Sequence, residues 1–242
     1  KNLGIAKDKL NQLEDLNNSW KKRISKSPEK SFFILNEFDN RGFFSNSDID
    51  QIKEGENQLP LLTWSLLDFL KTIDLSTNEL FELGSGNSTI WLSKIFNKIE
   101  SFETNKDWYE ILKPKLNSNV TLNFTSLEKI YECSFKFKKE DWLLIDFAGK
   151  RSKFIKKFIE FSDDFLPAQL ILDNSEWYRN GAKLLIERGY IEIPFFGFKS
   201  GEKNISCSSI FLLKNNFNLK ILSKFFYPKN SQKIDNNWDS LD

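Results

Sequence analysis

A chain of 242 residues with 35 basic and 34 acidic side chains carries a net charge of +1, which gives no global attraction to nucleic acid or to an acidic membrane. Its 40% hydrophobic content, with 24 Phe and 7 Trp, supplies one large aromatic core, and no apolar run approaches the roughly 20 residues needed to span a bilayer. Histidine is absent, which excludes Ser-His-Asp and Cys-His catalysis and the histidine zinc motifs and leaves carboxylates, Lys, Tyr, hydroxyls, a metal or a cofactor.

Cys133 and Cys207 stand far apart without a partner spacing and read as reduced, buried thiols of a cytoplasmic protein. The first residues, from Lys1, show no signal-peptide pattern. Leu10, Leu13, Leu16, Trp20 and Ile24 recur at helical spacing and predict a helix through about residue 24, a packing or lid helix with partner binding as the alternative. Residues 31–44 are Phe-rich and broken by the turn signal Asn40-Arg41-Gly42; residues 45–58 read as a charged loop or short helix.

From Pro60 the pattern becomes regular. Pro60 suits a first helical position, and Leu61, Leu62, Trp64, Leu66, Leu67, Phe69 and Leu70 predict a helix buried on most sides. Strands are expected over 80–83, 99–103, 120–124, 142–146, 169–173, 190–193 and 208–213, with helices over 88–96, 106–112, 150–159 and 182–188. The runs at 142–146 and 169–173 are apolar throughout and end in an acid, as strands buried on both faces do. Such alternation predicts a Rossmann-like, doubly wound α/β sheet, mostly parallel. The chain divides into an N-terminal helical extension (1–58), a sheet domain (59–213) and a basic, Asn-rich tail (214–242) that frays after about Pro228.

The residues that carry chemistry fall at the carboxyl ends of the strands. Phe81-Glu82-Leu83 runs into Gly84-Ser85-Gly86, and Asn87, Ser88 and Thr89 start the next helix. Glycines let backbone approach a ligand closely, and the unpaired N–H groups of a helix start face it. Glu103 ends the following strand, where an acid suits the two hydroxyls of a ribose. Asp146 and Asp173 end two further strands, and like charges gathered on one edge are costly without a ligand or partner.

The run from Phe81 to Thr89, with Glu103 and the strand ending at Asp146, resembles class I S-adenosylmethionine-dependent methyltransferases over roughly residues 60–213. The resemblance implies a seven-stranded sheet with an antiparallel last strand and S-adenosyl-L-methionine as cofactor. Its expected binding residues are Glu82, Gly84, Ser85, Gly86, Asn87, Ser88, Thr89, Glu103 and Asp146. Thr89 stands where a dinucleotide fingerprint often ends in glycine, which disfavours a dehydrogenase.

A narrower resemblance, to catechol- and caffeoyl-CoA-type O-methyltransferases, rests on Asp146 with Lys150-Arg151 and on Asp173-Asn174. It implies Asp146, Asp173 and Asn174 as ligands of magnesium or another divalent cation, and Asp146 and Lys150 as catalytic residues. Without metal, Asp146 orients donor or acceptor and catalysis is mostly positioning. Trp177, Tyr178, Phe195, Phe196 and Phe198 read as core or as an acceptor wall, and the basic residues Lys150, Arg151, Lys153, Lys156 and Lys157 as a solvated helix face. The expected activity is O-methylation of a small-molecule acceptor, with neither nucleic acid nor membrane as partner; the alternative is a non-catalytic module that keeps the fold.

Overall fold

Residues buried on both faces belong at the middle of a sheet, and there the computed structural model places β4 (Trp142–Ile145) and β5 (Gln169–Asp173). The structure describes residues 2–43, 59–133, 135–161 and 165–214, with side chains in the first helix from residue 14. The stretch 45–58 and the tail beyond 214 lie outside the described residues.

The other strands are β1 (Glu79–Leu83), β2 (Lys98–Glu103), β3 (Val120–Phe124), β6 (Tyr190–Gly197) and β7 (Ser206–Leu213). The order is β3-β2-β1-β4-β5-β7-β6, with β7 antiparallel to both neighbours and the rest parallel, as the resemblance implies. The order reverses between β1 and β4, so a ligand cleft is expected beyond their carboxyl ends.

Helices cover both faces. On one lie α6 (Leu127–Tyr131), α7 (Arg151–Phe158) and α8 (Arg179–Glu187), around Phe154, Phe158, Leu170 and Phe211. On the other lie α3 (Trp64–Leu70) and α4 (Asn87–Leu92), around Leu66, Leu70, Trp142 and Ile171. Helix α5 (Lys106–Leu112) follows β2 and stops before Pro114.

Helix α3 begins at Trp64, later than the pattern from Pro60 suggests. The residues before it are spent on the sheet: Thr63 N donates to Ser208 Oγ at 3.0 Å, Thr63 Oγ1 donates to the Phe195 carbonyl at 3.0 Å, and Trp64 N donates to the Phe198 carbonyl at 2.9 Å.

The N-terminal extension forms α1 (Asn2–Lys26) and α2 (Pro28–Asn40), which opens on Pro28 and ends at a turn with Gly42 at φ 74°. In α1 the stripe Leu16, Trp20 and Ile24 is exposed, so none of its described side chains joins the core. Anchorage comes instead from the end of α2. Phe38 meets Trp64 edge-on at 5.3 Å and Phe198 at 5.5 Å, and Arg41 pairs with Asp68 at 2.9 Å. No helix among the described residues is long and apolar enough to cross a membrane.

Candidate functional site

The loop after β1 is held from beneath by a buried acid. Glu82 has no exposed surface and accepts from Ser88 Oγ at 2.7 Å, Thr89 Oγ1 at 2.6 Å and Ser101 Oγ at 2.6 Å. Thr89 Oγ1 in turn accepts from Gly86 N at 2.9 Å. The hydroxyl at position 89, where a dinucleotide fingerprint has glycine, therefore ties the helix start to the strand.

Ser85 is clamped at three points. Its N–H donates to Glu103 Oε2 at 3.0 Å, its carbonyl accepts from Trp108 Nε1 at 2.7 Å, and its hydroxyl donates to Ser101 Oγ at 2.7 Å, whose own proton goes to Glu82. Glu103 also takes the N–H groups of Thr104 and Asn105, both at 2.7 Å. Asn105 caps α5 by accepting from Trp108 N at 3.0 Å, which fixes the ring that reaches back to the loop.

These elements wall a cavity of about 470 Å³ beyond β1, β2 and β4. Of the expected cofactor residues, Gly84, Ser85, Gly86, Asn87, Ser88, Glu103 and Asp146 line it. Glu82 and Thr89 stand behind the loop, where they hold its shape. Asn87 Oδ1 is buried at the cavity wall without a hydrogen-bond partner, an acceptor suited to a donor on a ligand.

Full burial pushes the Glu82 carboxyl up to about 7, against the pull of the three hydroxyls. The unfolded chain gives up this proton near 4.5 and the folded chain keeps it, so stability falls as pH rises from about 4.5 to about 7 and then levels off. At about 1.4 kcal/mol per unit the loss is about 3 kcal/mol. Glu82→Gln, uncharged throughout, is expected to be less stable than wild type at pH 5 and to overtake it by pH 8. Thermal unfolding at both values checks this; a difference independent of pH would contradict it.

Asp146 is pushed up to about 7 by burial and by the Asp173 carboxylate, with Arg151 and Lys199 opposing. Its Oδ1 lies 2.7 Å from Arg151 Nη2. Arg151 is nearly buried, stacks on Tyr178 at 5.0 Å and donates to the Asp173 carbonyl at 2.6 Å. Lys150, expected as a proton acceptor near Asp146, is instead exposed at the start of α7, and its backbone N–H is held by Tyr131 Oη at 3.0 Å. The cation at Asp146 is its neighbour Arg151. Lys150, Lys153, Lys156 and Lys157 form the solvated face, and Arg151 departs from it.

Of the expected metal ligands, Asp173 has both carboxylate oxygens engaged and Asp146 has one. Asp173, 1% exposed, accepts from Ser208 Oγ at 2.5 Å on Oδ1 and from Lys199 Nζ at 2.6 Å on Oδ2. Among the described residues no group of three or more acids or thiols is arranged to hold a metal ion. The Asp173 carboxylate therefore does not fit a divalent cation, because an ammonium and a hydroxyl proton already fill it, and Asp146 Oδ1 is taken by the Arg151 guanidinium. Lys199 went unnoticed in the sequence because it sits in an irregular loop, and no local pattern sets it apart from the other lysines.

The aromatic residues suggested as an acceptor wall divide. Trp177 and Phe196 are exposed, Tyr178 supports Arg151, Phe195 tilts against Phe69 at 5.1 Å, and Phe198 packs with Phe38, Phe43 and Trp64. Both cysteines are free and buried, and burial pushes the Cys133 thiol up to about 12, which makes it inert.

No protein-family model and no curated protein matches the sequence. Solved structures do. An O-methyltransferase from Bacillus cereus in complex with SAH is similar over 80% of this chain and 96% of its own, with a TM-score of 0.51 at 14% identity. The O-methyltransferase TomG from Streptomyces achromogenes, 16% identical, aligns over 62% of this chain and 77% of its own with a TM-score of 0.46. A dimethyladenosine transferase from Plasmodium falciparum, also 16% identical, aligns over 65% and 64% with a TM-score of 0.47. The fold is that of the class I S-adenosylmethionine-dependent methyltransferases.

Proposed function

We propose that the chain is an S-adenosyl-L-methionine-dependent methyltransferase acting on a small-molecule acceptor, at oxygen. One observation carries the reading: the glycine loop, Glu103 and Asp146 share the wall of a single cavity at the carboxyl edge of the sheet, of about 470 Å³. That volume lies in the range of ligand sites.

The cofactor, when bound, supplies an electrophilic methyl group on a positively charged sulfur. Glu103 has about four acceptor positions, three of them taken by backbone N–H groups, and the remaining one would hold a ribose hydroxyl. Asn87 Oδ1, buried without a partner at the cavity wall, would hold the ammonium of the amino-acid part. Glu103 and the unpartnered Asn87 oxygen present acceptors to the cavity, which suits a cationic ligand carrying N–H and O–H donors. Asp146 holds its proton with an affinity suited to a general base at neutral pH and takes the proton of the acceptor hydroxyl. Arg151 fixes the direction in which that carboxylate points.

Calorimetric titration separates this reading from its competitors. S-adenosylmethionine and S-adenosylhomocysteine are expected to bind one to one and NAD not to bind. Tight NAD binding, or no binding of the methyl-donor pair, would overturn it.

A further inference from the structure

Lys199 leaves the end of β6 and turns inward, 1% exposed. Its Nζ lies 2.6 Å from Asp173 Oδ2. With the Asn174 amide oriented to satisfy both of its groups, Nζ also donates to the Asn174 side-chain oxygen at 3.1 Å while the amide nitrogen donates to Asp173 Oδ2 at 2.8 Å. One ammonium thus bridges an Asp-Asn pair, and Ser208 closes the other carboxylate oxygen. Asn174 is held at φ 51°, a left-handed conformation that brings its side chain back over Asp173.

We infer that Lys199 is a built-in replacement for a divalent cation: its ammonium fills the Asp173–Asn174 seat and keeps that seat closed to metal. The catalytic meaning of this rests on the methyl-transfer reading, but cation exclusion itself does not. Magnesium needs six oxygens at about 2.0–2.1 Å and calcium six to eight at about 2.3–2.6 Å. Here the Asp173 oxygens face a hydroxyl proton, an amide proton and an ammonium, and a second cation within a few ångströms of Nζ would be repelled at low dielectric.

The lysine is delivered by a loop that the N-terminal extension holds down. Ser200 Oγ donates to the Arg41 carbonyl at 2.9 Å and Gly201 N to the Gly42 carbonyl at 3.2 Å, while Phe198 is locked among Phe38, Phe43 and Trp64. The turn after α2 therefore has a part in keeping the seat filled.

Titration of wild type with Mn²⁺ by calorimetry, with thermal unfolding in Mn²⁺ and in EDTA, is expected to show no binding and no shift in Tm. Lys199→Ala, which opens the seat and frees Asp173, is expected to bind one Mn²⁺ and to gain Tm with it, and Lys199→Ala/Asp173→Asn to lose both. One-to-one binding by wild type that Asp173→Asn removes would overturn the inference, as would a folded Lys199→Ala that ignores Mn²⁺. If Lys199→Ala does not fold, the wild-type titration decides. None of these readouts needs S-adenosylmethionine, so a failure of the cofactor reading would show separately, in the binding of that ligand.

Discussion

Gly84→Ala is expected to destabilise the fold by about 3 kcal/mol or more and to abolish S-adenosylmethionine binding. Gly84 has φ 95°, and a Cβ there would lie 2.6 Å from the carbonyl carbon and oxygen of Asp146 and from the amide nitrogen of Phe147. Those atoms are backbone at the end of a central strand. Asp146 N donates to the Leu83 carbonyl at 2.8 Å and Gly84 N to the Phe102 carbonyl at 2.9 Å, so relief would break ladder bonds on either side of β1. Gly86→Ala is the matched control. Gly86 is extended at φ 178°, and its Cβ would meet only the Trp108 ring, at 3.9 Å. It should unfold near wild type and lose affinity alone. Denaturant unfolding with ligand titration separates the two; equal stability losses would contradict the argument.

Glu103→Gln is expected to weaken S-adenosylmethionine binding about 100-fold, or about 2.7 kcal/mol, while Tm falls by a few degrees. The amide oxygen can still accept from Thr104 and Asn105, both at 2.7 Å in wild type. The amide nitrogen would then face Ser85 N–H, donor against donor, where Oε2 now accepts at 3.0 Å. Loop position and the acceptor for a ribose hydroxyl are lost together, with the charge. An affinity within threefold of wild type would remove Glu103 from the cofactor site.

Helix and strand identity was largely legible because the apolar patterns are long. The expected 106–112, 120–124 and 169–173 coincide with α5, β3 and β5. Boundaries moved where tertiary hydrogen bonds took over local ones, as at Thr63, whose N–H and hydroxyl go to β7 and β6 and delay α3. Helix α2 went unseen as a helix because its Phe-rich face, with Phe32 and Phe33 exposed, has no helical alternation to read. Helix α6 was missed because five residues are too few to show a period.

In the candidate site the acids and glycines announced themselves and their cations did not. Asp146 and Asp173 end apolar strands, so their positions follow from the strand pattern. Whether Lys150 or Arg151 meets Asp146 depends on the phase of α7, which a single residue of offset reverses.

The sequence by itself determined the α/β alternation, the glycine loop between β1 and α4, and the four acids at the strand ends, since each is written in contiguous residues. Only the tertiary structure decided what neutralises those acids. Lys199 reaches Asp173 across 26 residues of chain, on a loop held by the end of α2. A charge pair made through space between segments distant along the chain leaves no periodic trace in either, so it becomes visible only when packing brings them together.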